Sequence, residues 1–243
     1  MALGLFAVAA LIPPPSLACG DDASAQTAAV AGPSNTAPIQ LAVEGDTPIE
    51  VVAGPTDSDR VVIYLHGVCG DVHAFGSWVG AATRHATFIA MRGDLPCEQR
   101  RGRYKWSYNY AHLNRRILKA IRAANALRPK PLDDTDVALI GYSQGARRAE
   151  LMAAHFPQRY RRVAIIAIVS EPSPDLLSKA HSILLMAGSR DARQHIKDGA
   201  EKLRRSGKRV QYMELPGARH GEYGPDAPRV MRIALDWLFA EVT

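Results

Sequence analysis

Gly141-Tyr142-Ser143-Gln144-Gly145 is a Gly-x-Ser-x-Gly pentapeptide set between two regular patterns. An apolar run, Val137 to Ile140, precedes it, and an apolar pattern of helical period follows it. A strand that turns directly into a helix at Ser143 would push that residue into a strained backbone conformation and lift its Oγ clear of the sheet. Gly141 and Gly145 leave room for so tight a bend. A serine hydroxyl becomes a useful nucleophile only when a base takes its proton, so the chain must also supply a base and a group to orient it. The alternative is an ordinary surface turn with an idle serine.

The elements that would position such groups can be read from apolar runs. Residues 39–43 and 49–52 read as an early hairpin or edge pair. Residues 61–65 and 87–91 are short, near-continuous apolar runs, as expected of strands buried on both faces, and residues 137–140, 163–169, 183–186 and 210–215 read as further strands. Between them, residues 113–127, 146–155, 196–203 and 230–239 repeat apolar positions at helical spacing. Strands alternating with helices predict an α/β fold, with a mostly parallel central sheet and helices on both faces. In such sheets ligands and chemistry gather beyond the carboxyl ends of the strands. Those ends here read His66-Gly67, Arg92-Gly93-Asp94, Ser170-Glu171, Gly188-Ser189-Arg190-Asp191 and Arg219-His220.

Composition limits the alternatives. The chain has 243 residues and is 47% hydrophobic, enough for one well-buried domain, read here over residues 39–243. Charge is uneven: residues 1–59 hold seven acids and no Lys or Arg, while residues 60–243 hold 30 bases against 17 acids, a net of +13. The bases cluster at 100–105, 115–116, 147–148, 159–162 and 204–209 and read as a solvated, arginine-rich surface. A non-catalytic module that holds a polyanion on this field is the rival of another class. No nucleic-acid-binding module, metal-ligand spacing or phosphate-cradling glycine motif is visible, so nucleic acid, metal and nucleotide cofactor are not expected.

The N-terminus reads as an export signal over residues 1–18. An apolar run is followed by Pro13-Pro14-Pro15 and the small-residue stretch Ser16-Leu17-Ala18-Cys19. It resembles a bacterial lipoprotein signal with Cys19 as the lipidated residue, which implies a periplasmic or membrane-anchored protein. No basic residue precedes the run, and Ser16 stands three positions before Cys19; cleavage to a soluble secreted form is the alternative. Residues 19–38 are small, polar and punctuated by Pro and Gly, the composition of a flexible tether.

The strand order and the pentapeptide together resemble the α/β-hydrolase family, over roughly residue 39 to the end. The resemblance implies Ser143 as nucleophile and His220 as its base, in the family's order of serine, acid, histidine. His66 is expected to be structural. The acid that orients His220 is Asp191, with Glu171 as the alternative; Asp191 could instead cap a helix near Arg193. The oxyanion donors are expected to be the backbone N–H groups of Val68 and Gln144. Cys69 and Cys97 follow strands that are neighbours in this fold, and an exported protein favours a disulfide between them over two free thiols. The segment of residues 172–182 is too short for a cap domain, so the site is expected to be open. The basic, aromatic loop of residues 95–111 either binds substrate or packs Trp106 beneath it. The activity implied is hydrolysis of small carboxylic esters with short or polar groups. Amide or thioester hydrolysis by the same groups is the alternative, and the oligomeric state is left open.

Overall fold

The computed structural model describes Met1 and residues 37–241. The expected export segment, Cys19 and all but the last two residues of the expected tether lie outside the described residues. In chain order the described elements are β1 (Ile39–Leu41), β2 (Ile49–Val52), β3 (Val61–Leu65), α1 (Val79–Thr83), β4 (Thr87–Met91), β5 (Leu95–Pro96), β6 (Tyr104–Lys105), α2 (Tyr110–Asn125), β7 (Val137–Tyr142), α3 (Gln144–His155), β8 (Arg162–Ile166), β9 (Ser182–Gly188), α4 (Gln194–Arg205), β10 (Val210–Leu215) and α5 (Ala227–Phe239).

Eight strands form one sheet in the order β1-β2-β4-β3-β7-β8-β9-β10. The first two pairings, β1 with β2 and β2 with β4, are antiparallel; all those that follow are parallel. The central strands are buried along their whole length because both faces are covered, which is why they read as unbroken apolar runs. Alternate residues serve opposite faces. Val61, Ile63, Leu65, Leu139 and Ile165 join Ile117, Ala149 and Ile196 in a core beneath α2, α3 and α4. Val62, Tyr64, Ile140 and Ile166 join Val79, Met231 and Leu235 beneath α1 and α5.

The elements positioned from the sequence are present, with ends shifted by a few residues. Two features were not anticipated. The crossover from β3 to β4 carries the short helix α1, which with Phe75 and Trp78 packs an aromatic cluster against Tyr64 and Phe88. The loop after β4 folds back as the two-residue hairpin β5–β6. Between β8 and β9 the chain makes only turns, so no cap domain is inserted there.

Two of the clustered arginines depart from the expectation of a solvated surface. Arg116 is 3% exposed: its Nε donates to Asp46 at 2.8 Å and its Nη2 to the Arg92 carbonyl at 2.8 Å. Arg148 is 2% exposed and donates to the carbonyls of Ser107 and Trp106. A guanidinium can be buried when its planar fork of donors is met by loop carbonyls and a carboxylate. Both pin the loop after β4 onto the domain.

Candidate active site

One residue separates β7 from α3. Ser143 takes φ +52° and ψ −111°, a conformation costly for any residue but glycine. Its surroundings hold it there. The Ser143 N–H donates to the Ile166 carbonyl of β8 at 2.8 Å. A Cβ on Gly141 would lie 2.3 Å from the Gly145 oxygen, and a Cβ on Gly145 would lie 2.0 Å from the Leu65 oxygen. Only glycine lets helix and sheet approach so closely at these two positions.

Ser143, His220 and Asp191 come from three separate strand ends and meet. His220 Nε2 lies 3.1 Å from Ser143 Oγ, and His220 Nδ1 lies 2.9 Å from Asp191 Oδ2. A carboxylate only accepts, so Nδ1 carries the ring proton and Nε2 is left to accept from the serine hydroxyl. Asp191 sits in the turn after β9, where its N–H donates to the Gly188 carbonyl and its Oδ1 accepts from the Ala192 N–H at 2.7 Å. It does not cap α4, whose N-cap position is Arg193. The loop bearing His220 is tied down in turn: the Arg190 N–H donates to the Ala218 carbonyl, and the Gly221 N–H donates to the Tyr142 hydroxyl at 2.7 Å. Burial pushes that phenol up to about 12, so it stays protonated across the ordinary pH range.

Glu171 is not brought to His220. The chain leaves β8 through Ala167 at φ +50°, and the Glu171 carboxylate pairs with Lys202 Nζ of α4 at 2.6 Å. Of the two candidate acids, Asp191 is the one in contact with the histidine.

Ser143 and His220 open onto a chamber of about 190 Å3, walled by Gly67, Val68, Tyr142 and Tyr223 among others. Val68 is exposed at its rim, and the Gln144 backbone begins α3 immediately after Ser143. The first N–H groups of a helix have no partner within it, so this end of α3 presents free donors. Behind the Val68 loop lies His66, 1% exposed. The Gly93 N–H donates to its Nε2 at 3.0 Å, so Nδ1 holds the proton and donates to the Gly67 carbonyl. Burial, aided by nearby Arg103, lowers His66 to about 4 against the hydrogen bond to Gly67, and the ring is neutral. It is a structural strut, as expected.

The loop after β4 also braces the site. Trp106 is packed beneath it, its Nε1 donating to the His66 carbonyl at 2.7 Å. The Gln144 side chain brackets the Trp106 backbone, accepting from its N–H at 2.9 Å and donating to its carbonyl at 3.4 Å. The sequence signalled only the backbone of Gln144; its amide is the right type to pair with one peptide unit, which is visible once the loop is in place. Tyr108 remains 79% exposed, with the Arg148 guanidinium 4.0 Å from its ring centre. A disulfide joins Cys69 to Cys97 with Cα atoms 5.6 Å apart, fastening the loop after β3 to the loop after β4. No cluster of metal-ligating side chains occurs among the described residues, and no described helix is long and apolar enough to cross a membrane.

No family model and no curated protein sequence matches the chain. Many solved structures do resemble it. A carboxylesterase from Mesorhizobium loti aligns at 18% identity and a TM-score of 0.58, covering 80% of this chain and 98% of that one. A dienelactone hydrolase from Anabaena variabilis aligns at 19% identity and 0.57, covering 83% and 95%. A fluorophosphonate-binding serine hydrolase from Staphylococcus aureus aligns at 13% identity and 0.58, covering 84% and 98%. At these identities the likeness speaks for the fold, and the fold is that of the α/β-hydrolases.

Proposed function

We infer that this chain is a serine hydrolase that cleaves carboxylic esters through an acyl-enzyme. The observation that carries the reading is the continuous hydrogen-bonded line from Asp191 through His220 to Ser143. Ser143 Oγ attacks the ester carbonyl while His220 Nε2 takes its proton. Asp191 steadies the imidazolium that forms and keeps the ring in the required tautomer. The Val68 and Gln144 N–H groups receive the oxyanion. His220 then returns the proton to the departing alkoxide, which leaves as the alcohol. Water, deprotonated by the same nitrogen, attacks the acyl-enzyme and releases the carboxylic acid and free serine.

Several of the structures it resembles are of esterases, which supports ester cleavage over other uses of the fold. The small chamber and the absence of a cap between β8 and β9 favour short acyl groups and argue against activation at an oil–water interface. A fluorophosphonate probe tests the nucleophile: it should label the wild-type chain and fail to label Ser143→Ala. Labelling of another serine in that variant would remove Ser143 from the mechanism. A panel of p-nitrophenyl esters and matched anilides and thioesters then ranks ester against amide and thioester. A rate jump above the solubility limit of a long-chain triglyceride would rule out the open, short-acyl site. Export, with Cys19 as lipidation point, is part of the same proposal, and mass spectrometry of the mature N-terminus tests it: a cleaved, unmodified terminus means soluble export.

A further inference from the structure

A second cavity, of about 290 Å3, lies beside the Ser143 chamber. Gly70 and Asp71 line both, which sets the two cavities side by side. The wall of the second cavity is polar and carries both signs of charge: Asp71, His73, Arg92, Arg103 and Tyr104 line it.

These charges are already matched. Arg103 Nη1 lies 3.1 Å from Asp71 Oδ2, and Arg92 Nη2 lies 3.4 Å from Glu50 Oε1. The His73 ring stands between the two acids, 3.3 Å from Asp71 and 3.4 Å from Glu50. The Glu50 side chain is 4% exposed. An anionic ligand that drew Arg92 away would take a full positive charge from the nearly dry Glu50 carboxylate, leaving it the Gln40 amide at 2.9 Å and the His73 ring at 3.4 Å, which is costly. A cation would meet the two arginines. A neutral group rich in hydroxyls suits this wall, because each hydroxyl can donate to a carboxylate and accept from a guanidinium without disturbing the charge balance. The volume is at the lower end of ligand pockets, which run from roughly 300 Å3 upward, and it suits one ring rather than a chain of rings.

We propose that this cavity is a subsite for a neutral polyhydroxylated group, a monosaccharide or a polyol of similar size, carried as the alcohol part of a short-acyl ester whose carbonyl sits at Ser143. The catalytic half of this proposal rests on the ester-cleaving reading; occupation of the cavity does not. The test therefore has a binding arm and a turnover arm.

In the first arm, 6-O-acetylglucose is titrated calorimetrically into Ser143→Ala and into Ser143→Ala/Arg103→Gln, with monoethyl succinate as the anionic competitor. The sugar ester should bind Ser143→Ala more tightly than monoethyl succinate does. Adding Arg103→Gln should weaken it by about tenfold, the worth of one charge-assisted hydrogen bond. Equal binding by the two variants, or tighter binding of monoethyl succinate, overturns the proposal. In the second arm, the ratio of kcat/KM for 6-O-acetylglucose to that for p-nitrophenyl acetate should fall about tenfold in Arg103→Gln, chiefly through KM. Binding in the first arm without turnover by the wild-type chain would leave the subsite standing and bring down the ester-cleaving reading instead.

Discussion

Replacing Cys69 and Cys97 together by alanine should destabilise the domain by about 3.6 kcal/mol. The two cysteines are 28 residues apart in sequence. Opening a loop of that length in the unfolded chain restores on the order of 12 cal/mol/K of entropy, which is about 3.6 kcal/mol at 25 °C. For a domain of this size the corresponding fall in melting temperature is roughly 7–14 °C. The native contacts give little reason for a much larger loss, because the loops are also held by the bridge of Gly70 to Tyr104 and by the Trp106 hydrogen bonds. Thermal unfolding followed by circular dichroism and urea titration of both proteins, each non-reduced, measures the difference. Alkylation before and after reduction verifies that the wild-type thiols are paired at the start. Because Val68 immediately precedes Cys69, ester turnover should fall as well, by less than the loss of a catalytic group. A double variant that melts within about 2 °C of wild type would refute the loop-entropy reasoning.

Further outcomes follow from other parts of the site. Asp191→Asn should lower kcat on the order of 10⁴-fold, since an amide can donate to Nδ1 and stabilise the wrong tautomer; Glu171→Gln, which only loses a surface pair with Lys202, should change it by less than about twofold. Steady-state kinetics on a soluble ester compares them, and the reverse ranking would move the acid. Tyr142→Phe removes the acceptor of the Gly221 N–H and loosens the His220 loop; kcat should fall about fivefold, the worth of one hydrogen bond, with KM held. An unchanged kcat would mean that the loop is positioned without that hydroxyl. His66 titrates near 6.5 when unfolded and at about 4 when folded, so between those values the unfolded chain binds the extra proton. Stability contributed by the neutral, buried ring is complete above pH 6.5 and is lost as pH falls toward 4, by about 3 kcal/mol in all. Urea unfolding across that window should show the slope in wild type and a shallower one in His66→Gln; equal slopes would assign the acid sensitivity elsewhere.

Residue types alone established the layered α/β architecture and the places where polar groups could gather. Strands such as Val61–Leu65 and Thr87–Met91 are covered on both faces, so apolar residues dominate them, and they stand out without any partner being known. The tight bend at Ser143 is equally local, since it is forced by the two glycines and by the strand and helix that flank it. The short helix α1 and the hairpin β5–β6 lacked such a signal, because five or two residues are too few to show a period. The preference for Asp191 over Glu171 rests on the family resemblance, not on anything written along the chain. Both follow strands, and only the direction in which each turn leaves the sheet decides which carboxylate reaches His220 and which reaches Lys202. Arg116 and Arg148 mislead for a related reason. A guanidinium reads as surface until loop carbonyls from distant segments are folded around it. Contacts between neighbours in sequence are written in residue order, whereas burial of charge, pairing of thiols and the meeting of three strand ends depend on distances that exist only after the sheet has assembled.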